Sequence, residues 1–584
     1  MTQINVINSF CDSIKAMYVD IVPNRKSRPA ILLRESVRVG KRVVKRTLAN
    51  LSSLSMEQAK AIRAVLKGQP LVALDELFEI VRSRAHGAVK AIHLAMTRLR
   101  VGALLGREAC RERDLVLAMI AARVLDPKSK LATARSWHHS TLGEVFGVED
   151  ADESELYAAM DWLLARQDRI EQRLAKRHLK EGARVLYDLS SSYFEGSCCP
   201  LAARGYSRDG KKGKLQVNYG LLTDARGCPV AISVFPGNSG DPTTLLPQVE
   251  KLQQAFGLES VILVGDRGMI SQKQVDALRG RSGMQWITAL KGGAIRKLVD
   301  AGGIQMDLFD ERNLFEFTHE DFPGERLVVC FNRSLAKLRA AKRASMLAAT
   351  TEALEVVRRM VANGRLKDAD KIGVRAGKVV NRHKMAKHFV LDIALGHFAF
   401  RIDPDSVDAE AALDGLYVIR TSLPAETLSS DDEVRHYKDL SQVEAAFRSL
   451  KSDDLQIRPI YHHNEDRVRA HLFLCMLAYY VKWHMSEAWR GLLFADEDQG
   501  RRAERDPVAP ATRSDAALEK VKSKQLTDGS PAHSFRTLLN ELSTLVRNTC
   551  QRNHPAVGDA LFEIDTTPNS KQTAALDRIK AIRL

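Results

Sequence analysis

An α/β fold built on a mixed sheet is predicted for the middle of this 584-residue chain. Three observations carry the prediction. At Arg184 the apolar pattern changes from helical spacing to short runs of β-formers. Those runs come in the order strand, strand, strand, helix, strand, with an acid on the first strand and another at the end of the last. Much further on, a helix from Asp431 to Lys451 brings a third acid, Glu444, beside its apolar face.

Residues 1–70 read as a basic N-terminal unit. AILLRESVRV and KRVVKRTL flank Gly40 as the strands of a hairpin, and Ser55 to Leu66 reads as a helix. Between Arg25 and Arg46 stand nine Lys/Arg and one acid, Glu35. Such a ribbon, carrying Arg42 and Lys45, can lie in a DNA groove, although a charged edge hairpin has the same pattern. Residues 71–180 read as a helical module, with helices expected from Leu71 to Arg84 and across Arg113 to Leu179, broken at Pro127.

Residues 181–300 form the first part of the predicted core. VLYDLSSSYF puts Asp188 inside a strand, where an acid is costly unless it is paired or binds a metal. KLQVNYGLL and PVAISVF pair across the TDARG turn, and Asp241 and Pro242 open a helix running to Phe256. SVILVG then delivers Asp266 at its C-terminal end, and Met284 to Leu290 adds a strand. This order is the ribonuclease H-like one, in which the strands bearing Asp188 and Asp266 lie side by side.

Asp266 and Glu444 are 178 residues apart, more than a connection requires, so residues 301–413 read as an inserted subdomain. From Arg333 to Lys387 it holds fifteen Lys/Arg and four acids. That excess makes Arg339, Lys342 and Arg343 candidates for tracking a DNA backbone, or else members of a solvated arm. Residues 414–499 return to the core with the strand LYVIRT, the helix from Asp431 to Lys451 and an apolar helix from about Glu465. Residues 500–584 read as a linker and a tail with one helix, from Ser534 to Arg552.

On the 431–451 helix, Val443, Ala446, Phe447 and Leu450 form the apolar face, and Tyr437, Glu444, Arg448 and Lys451 an adjacent stripe. Taken singly, Asp188, Asp266 and Glu444 could be a satisfied buried acid, a cap and half of a surface ion pair. Together, from two strands and a helix, they suit two divalent cations, Mg²⁺ with Mn²⁺ as a substitute. Such ions activate the attacking oxygen and stabilise the leaving oxygen of a phosphodiester.

Lys+Arg 88 against Asp+Glu 72 gives a net charge of +16, which points to a polyanionic partner such as nucleic acid. The N-terminus lacks a signal-peptide pattern and no run approaches membrane-spanning length, so a cytoplasmic protein is expected. Eight scattered cysteines without a CxxC pair suggest neither a zinc site nor disulfides.

Tyr437, Glu444 and Lys451 stand at the spacings of the Y-x2-R-x3-E-x6-K signature, and the chain resembles bacterial insertion-sequence transposases of the IS-four-related group. YDLSSSYFEG, GNSGDPTTL, VGDRGM, RPIYH and RVRAHLFLCMLA match as well. Leu440 occupies the signature's arginine position, and Arg448 is a candidate substitute. The resemblance implies an Asp-Asp-Glu triad of Asp188, Asp266 and Glu444 in a ribonuclease H-like core interrupted by a strand-rich insertion. It implies cleavage at the ends of the protein's own mobile element, joining of the 3′ ends to target DNA, and phosphate contacts from Tyr437 and Lys451. A homodimer is expected on the DNA. The competing readings are a relative that binds DNA without cutting it, and a glycosidase with a carboxylate pair, which has no use for a basic insertion.

Overall fold

The computed structural model describes residues 17–25, 27–39, 41–69, 78–196, 198–304, 313–498, 505–552 and 560–584. Cys11, the Gly40 turn, the start of the helix expected from Leu71 and the first residues of the 500–510 linker lie outside these. The chain forms two compact units, Met1–Ser83 with Arg547–Ile564, and Arg84–Val546 with Asp565–Leu584.

In the smaller unit the expected hairpin is present and gains a strand. Met17–Val22, Ala30–Val39 and Arg42–Asn50 form an antiparallel sheet in that order. The helix Met56–Leu66 starts at a Ser55–Gln58 capping box, which satisfies two otherwise orphaned N–H groups. Its Ala59 packs with Val19 and Ile31. Two expectations are corrected here. Phe78–Ala85 is a strand rather than a helix, and the helix expected from Ser534 to Arg552 stops at Ser543, followed by the strand Val546–Arg552. These two strands join Leu561–Asp565 in one sheet, so the deciding partner lies some 460 residues away, beyond the reach of local periodicity.

The larger unit is built on an eight-stranded mixed sheet. Its strands are β1 (Ala183–Tyr193), β2 (Gln216–Asp224), β3 (Pro229–Pro236), β4 (Val261–Val264), β5 (Met284–Ala289), β6 (Leu314–Phe317), β7 (Arg326–Phe331) and β8 (Leu416–Thr421). They lie in the order β6-β7-β8-β5-β4-β1-β2-β3. β1 pairs parallel with β4, as the order of elements required, and antiparallel with β2. β6 and β7, from the expected insertion, extend this sheet through β8.

Every residue of β2 is buried, because both faces of the sheet are covered. The helix Glu465–Ala488 is apolar nearly all round and correspondingly buried. Helices between Gly87 and His178 share one continuous core with the sheet. A separate small core joins Leu354, Val357 and Val361 of the helix Arg333–Ala362 to Ile372, Ala376 and Val380 of the helix Ala369–Arg382. Among the described residues no helix is long and apolar enough to cross a membrane, and none of the seven described cysteines is in a disulfide.

The helix expected from Asp431 to Lys451 is two helices, Ser430–Lys438 and Leu440–Lys451. The break sits at Asp439, which is buried and paired with Arg184 of β1 at 3.0 Å. A tertiary ion pair thus decides a boundary that helical spacing does not reveal.

Candidate active site

β1 and β4 run in register, with Leu186 opposite Val264. Asp188 lies two residues beyond that pair within β1 and Asp266 two residues beyond it, just past the end of β4, so parallel pairing carries both acids to the same end of adjacent strands. Asp188 Oδ1 accepts the Leu189 N–H at 2.8 Å. Asp266 Oδ1 accepts the N–H groups of Gly268 and Met269 at 3.0 and 2.8 Å, which orients the carboxylate. A Cβ at residue 268 would stand 3.3 Å from that oxygen, and glycine leaves the approach open.

The helix Leu440–Lys451 supplies the third acid. Val443, Ala446, Phe447 and Leu450 are buried, and Phe447 meets Tyr219 of β2 edge-on at 5.8 Å. That packing leaves Glu444 and Arg448 exposed one turn apart. Asp188, Asp266 and Glu444 all line one cavity of about 650 Å³, with Arg208, Arg448, Lys451 and Arg458 among its cations. Burial, with the charges of Asp266 and Glu444 added, raises the Asp188 carboxyl to about 7.

Two further acids line the cavity, Asp209 and Asp241, and both are paired. Asp209 accepts from Lys451 at 2.9 Å and binds Arg458, while Asp241 binds Arg208. Among the described residues Asp188, Asp266 and Glu444 have no lysine or arginine partner. An acid trio left uncompensated beside two neutralised acids fits divalent cations, whose charge would complete it. The three are not drawn together for a single ion: among the described residues only His178, Cys228 and His484 bring three ligand atoms within 4.8 Å of one another.

The remaining sequence candidates lie in different surroundings. Tyr437 is partly buried, and burial with the fields of Asp266, Glu444 and Asp188 pushes its hydroxyl up to about 12. Lys451 is half-buried on Asp209, and burial lowers its pKa. Leu440 does not share the stripe of Glu444; it is 9% exposed and belongs to the main core. Arg343 is buried in a two-point ion pair with Asp414, and Arg339 donates to the Leu413 carbonyl at 3.2 Å, whereas Lys342 is exposed. Arg42 and Lys45 sit on the exposed edge strand of the smaller unit, Lys45 being 3.9 Å from Asp20.

Sequence reading missed Arg208, Asp209 and Arg458, and took Asp241 only as a helix start. For Arg208 and Asp209 the signal was the run YSRDGKKGK between β1 and β2, whose connection exceeds an ordinary hairpin loop in length. That loop is pinned to β1, as Arg208 N–H donates to Ser191 Oγ at 3.0 Å and Tyr193 N–H to Asp209 Oδ2 at 3.1 Å.

The transposase DDE domain family matches residues 191–481, and the N-terminal domain of the IS1634 family of transposases matches residues 19–76. The chain belongs to the insertion-sequence transposases of DDE type. The match to the DDE domain includes Asp266 and Glu444 and begins three residues after Asp188. No curated protein matches this transposase. Among solved structures it is similar to the piggyBac transposase synaptic complex with hairpin DNA, at 9% identity and a TM-score of 0.35 over 78% of each chain. A DDE domain implies a ribonuclease H-like fold, DNA cleavage and transfer chemistry, and in general a need for divalent metal ions. As a transposase the protein binds DNA.

Proposed function

We propose that this transposase cuts DNA at the ends of its own insertion sequence and joins the freed 3′ ends to a target, with Asp188, Asp266 and Glu444 as its metal-holding triad. The observation that supports this reading is the charge pattern of the cavity, in which five acids stand together and, among the described residues, these three have no ion-pair partner. Two divalent ions, Mg²⁺ or Mn²⁺ in its place, would supply activation of the attacking oxygen and stabilisation of the leaving one.

The chain's own groups prepare that chemistry. The Gly268 and Met269 N–H groups hold one oxygen of Asp266. Phe447 fixes the helix that presents Glu444. Arg448, exposed and without an acidic partner among the described residues, is placed to hold a phosphate beside Glu444. Lys451 and Tyr437 border the same region, with Lys451 acting through Asp209. Lys342 and Arg339 of the inserted segment 301–413, and Arg42 and Lys45 of the N-terminal unit, are offered as backbone contacts; Arg343 is committed to Asp414. The protein is expected to act as a dimer on DNA in the bacterial cytoplasm.

The competing reading, a DNA-binding relative without catalysis, rests on Leu440 in place of the signature arginine. A duplex carrying the element's end, incubated with Mg²⁺, decides between them. Nicking by the wild type that is lost in Asp188→Asn, Asp266→Asn and Glu444→Gln, with DNA binding kept, supports the triad. Binding without any nicking sinks it.

A further inference from the structure

Arg458 borders two cavities: the one holding the acids, and a second of about 440 Å³. The lining of the second includes three arginines, two lysines and three histidines beside uncharged residues, and no aspartate or glutamate. Its outer cations are compensated. Arg458 is paired with Asp209, Lys128 with Asp126 at 2.8 Å, and Arg467 lies 3.8 Å from Asp161 with its guanidinium over the Tyr157 ring. Its inner ones are not. Lys130 is 4% exposed and Arg123 7% exposed, yet neither has a carboxylate partner among the described residues. Arg123 donates to the Lys128 carbonyl at 3.1 Å.

Burying unpaired cations is costly, and proteins tolerate it where a ligand completes the charge or the group gives up its proton. Burial, with Arg123 nearby, lowers the Lys130 ammonium to about 7. Burial, with Lys130 and Arg123 facing the ring, holds His462 down at about 3. A cavity of this size lined by buried N–H donors, with no acid in its lining, suits a compact oxyanion.

We propose that this second cavity binds a backbone phosphate of the DNA strand that passes through the catalytic cavity, with Lys130 and Arg123 as its principal contacts and Arg458 between the two. This rests on the DNA-cleaving function proposed above. A free phosphate shares the same chemistry, and the test separates the two sources.

The experiment uses the full chain with Lys130→Met, which keeps the side-chain volume and removes the charge, and Lys130→Arg, which keeps the charge. Binding to an element-end duplex is measured over a range of salt in EDTA, with thermal denaturation of the free proteins alongside. Lys130→Met should weaken DNA binding roughly tenfold and reduce the salt slope by about one, with Lys130→Arg recovering most of the loss. The free Lys130→Met protein should melt no lower than the wild type, because an unpaired buried charge has gone. Unchanged affinity and slope would overturn the proposal, as would a binding loss that comes with a lower melting point. Thermal protection of the wild type by inorganic phosphate, absent in Lys130→Met while DNA binding stays equal, would assign the cavity to free phosphate and overturn the strand assignment. If the wild type binds no DNA at all, the proposed function itself fails.

Discussion

Asp188→Asn should abolish strand cleavage and, at the same time, make the metal-free protein more stable. The folded state holds this carboxyl at about 7 against an ordinary 3.8, through burial and the nearby charges of Asp266 and Glu444. The sign follows from linkage. Because the folded pKa is raised, stability is complete below about pH 4 and is lost as the pH climbs toward 7, where the fold must hold an ionised group it disfavours. At about 1.36 kcal/mol per pH unit the ceiling is about 4 kcal/mol. Partial exposure to the cavity's solvent reduces that to roughly 1–2 kcal/mol. Asparagine has nearly the same shape without the charge. In EDTA at about pH 8 the variant should therefore melt a few degrees above the wild type, with the gap closing near pH 4. Mg²⁺ should also close the gap, by stabilising the wild type and not the variant. Circular-dichroism melts across that pH range, with EDTA or Mg²⁺, run beside a nicking assay, measure both effects. A metal-free variant less stable than the wild type at about pH 8 would refute the reasoning, since it would mean that the Asp188 charge is already compensated within the protein.

Arg448→Ala should lose cleavage or joining by about 1.5–3 kcal/mol, the scale of a charged hydrogen bond, with no change in melting; normal single-turnover cleavage would make it an idle surface residue. Leu440→Arg should lower stability by about 2–4 kcal/mol and restore nothing, because it places a guanidinium in the core; a gain in cleavage would show that this position reaches DNA after all. Arg343→Ala should cost about 3 kcal/mol by stranding Asp414, seen as faster proteolysis within residues 333–411, whereas Lys342→Glu should leave proteolysis alone and weaken DNA binding. Proteolysis that is equal in the two variants would remove the structural role given to Arg343.

The parts of the fold that were legible are those written in continuous local pattern. β4 is an unbroken VILV and β1 opens on the β-forming VLY before Asp188, and the strand, strand, strand, helix, strand order places the two side by side, which is why Asp188 and Asp266 could be singled out together. Glu444 was legible because Val443, Ala446, Phe447 and Leu450 fix which face of the helix is buried. What was not legible depends on distant partners. The strand Phe78–Ala85 is decided by Val546–Arg552, and the break at Asp439 by Arg184. The loop that brings Arg208 and Asp209 into the cavity has no periodicity to read, and its place follows from bonds to Ser191 and Tyr193 made only in the folded chain.

Charge counts fail for the same reason, and the failure is informative. The excess of cations from Arg333 to Lys387 suggested Arg343 as a DNA contact, but Arg343 already spends its charge on Asp414. Lys451 and Arg458 both do so on Asp209. A cation that is already neutralised must break a pair before it can hold a phosphate, so its net gain on binding is small. The groups able to gain most are Arg448, Lys130 and Arg123, two of which lie outside any conspicuously basic stretch of sequence. The same criterion with the sign reversed separates Asp188, Asp266 and Glu444 from Asp209 and Asp241 within one cavity. Internal compensation, which only the folded chain displays, is therefore the property that distinguishes groups free to meet a metal ion or a phosphate from those that hold the site together.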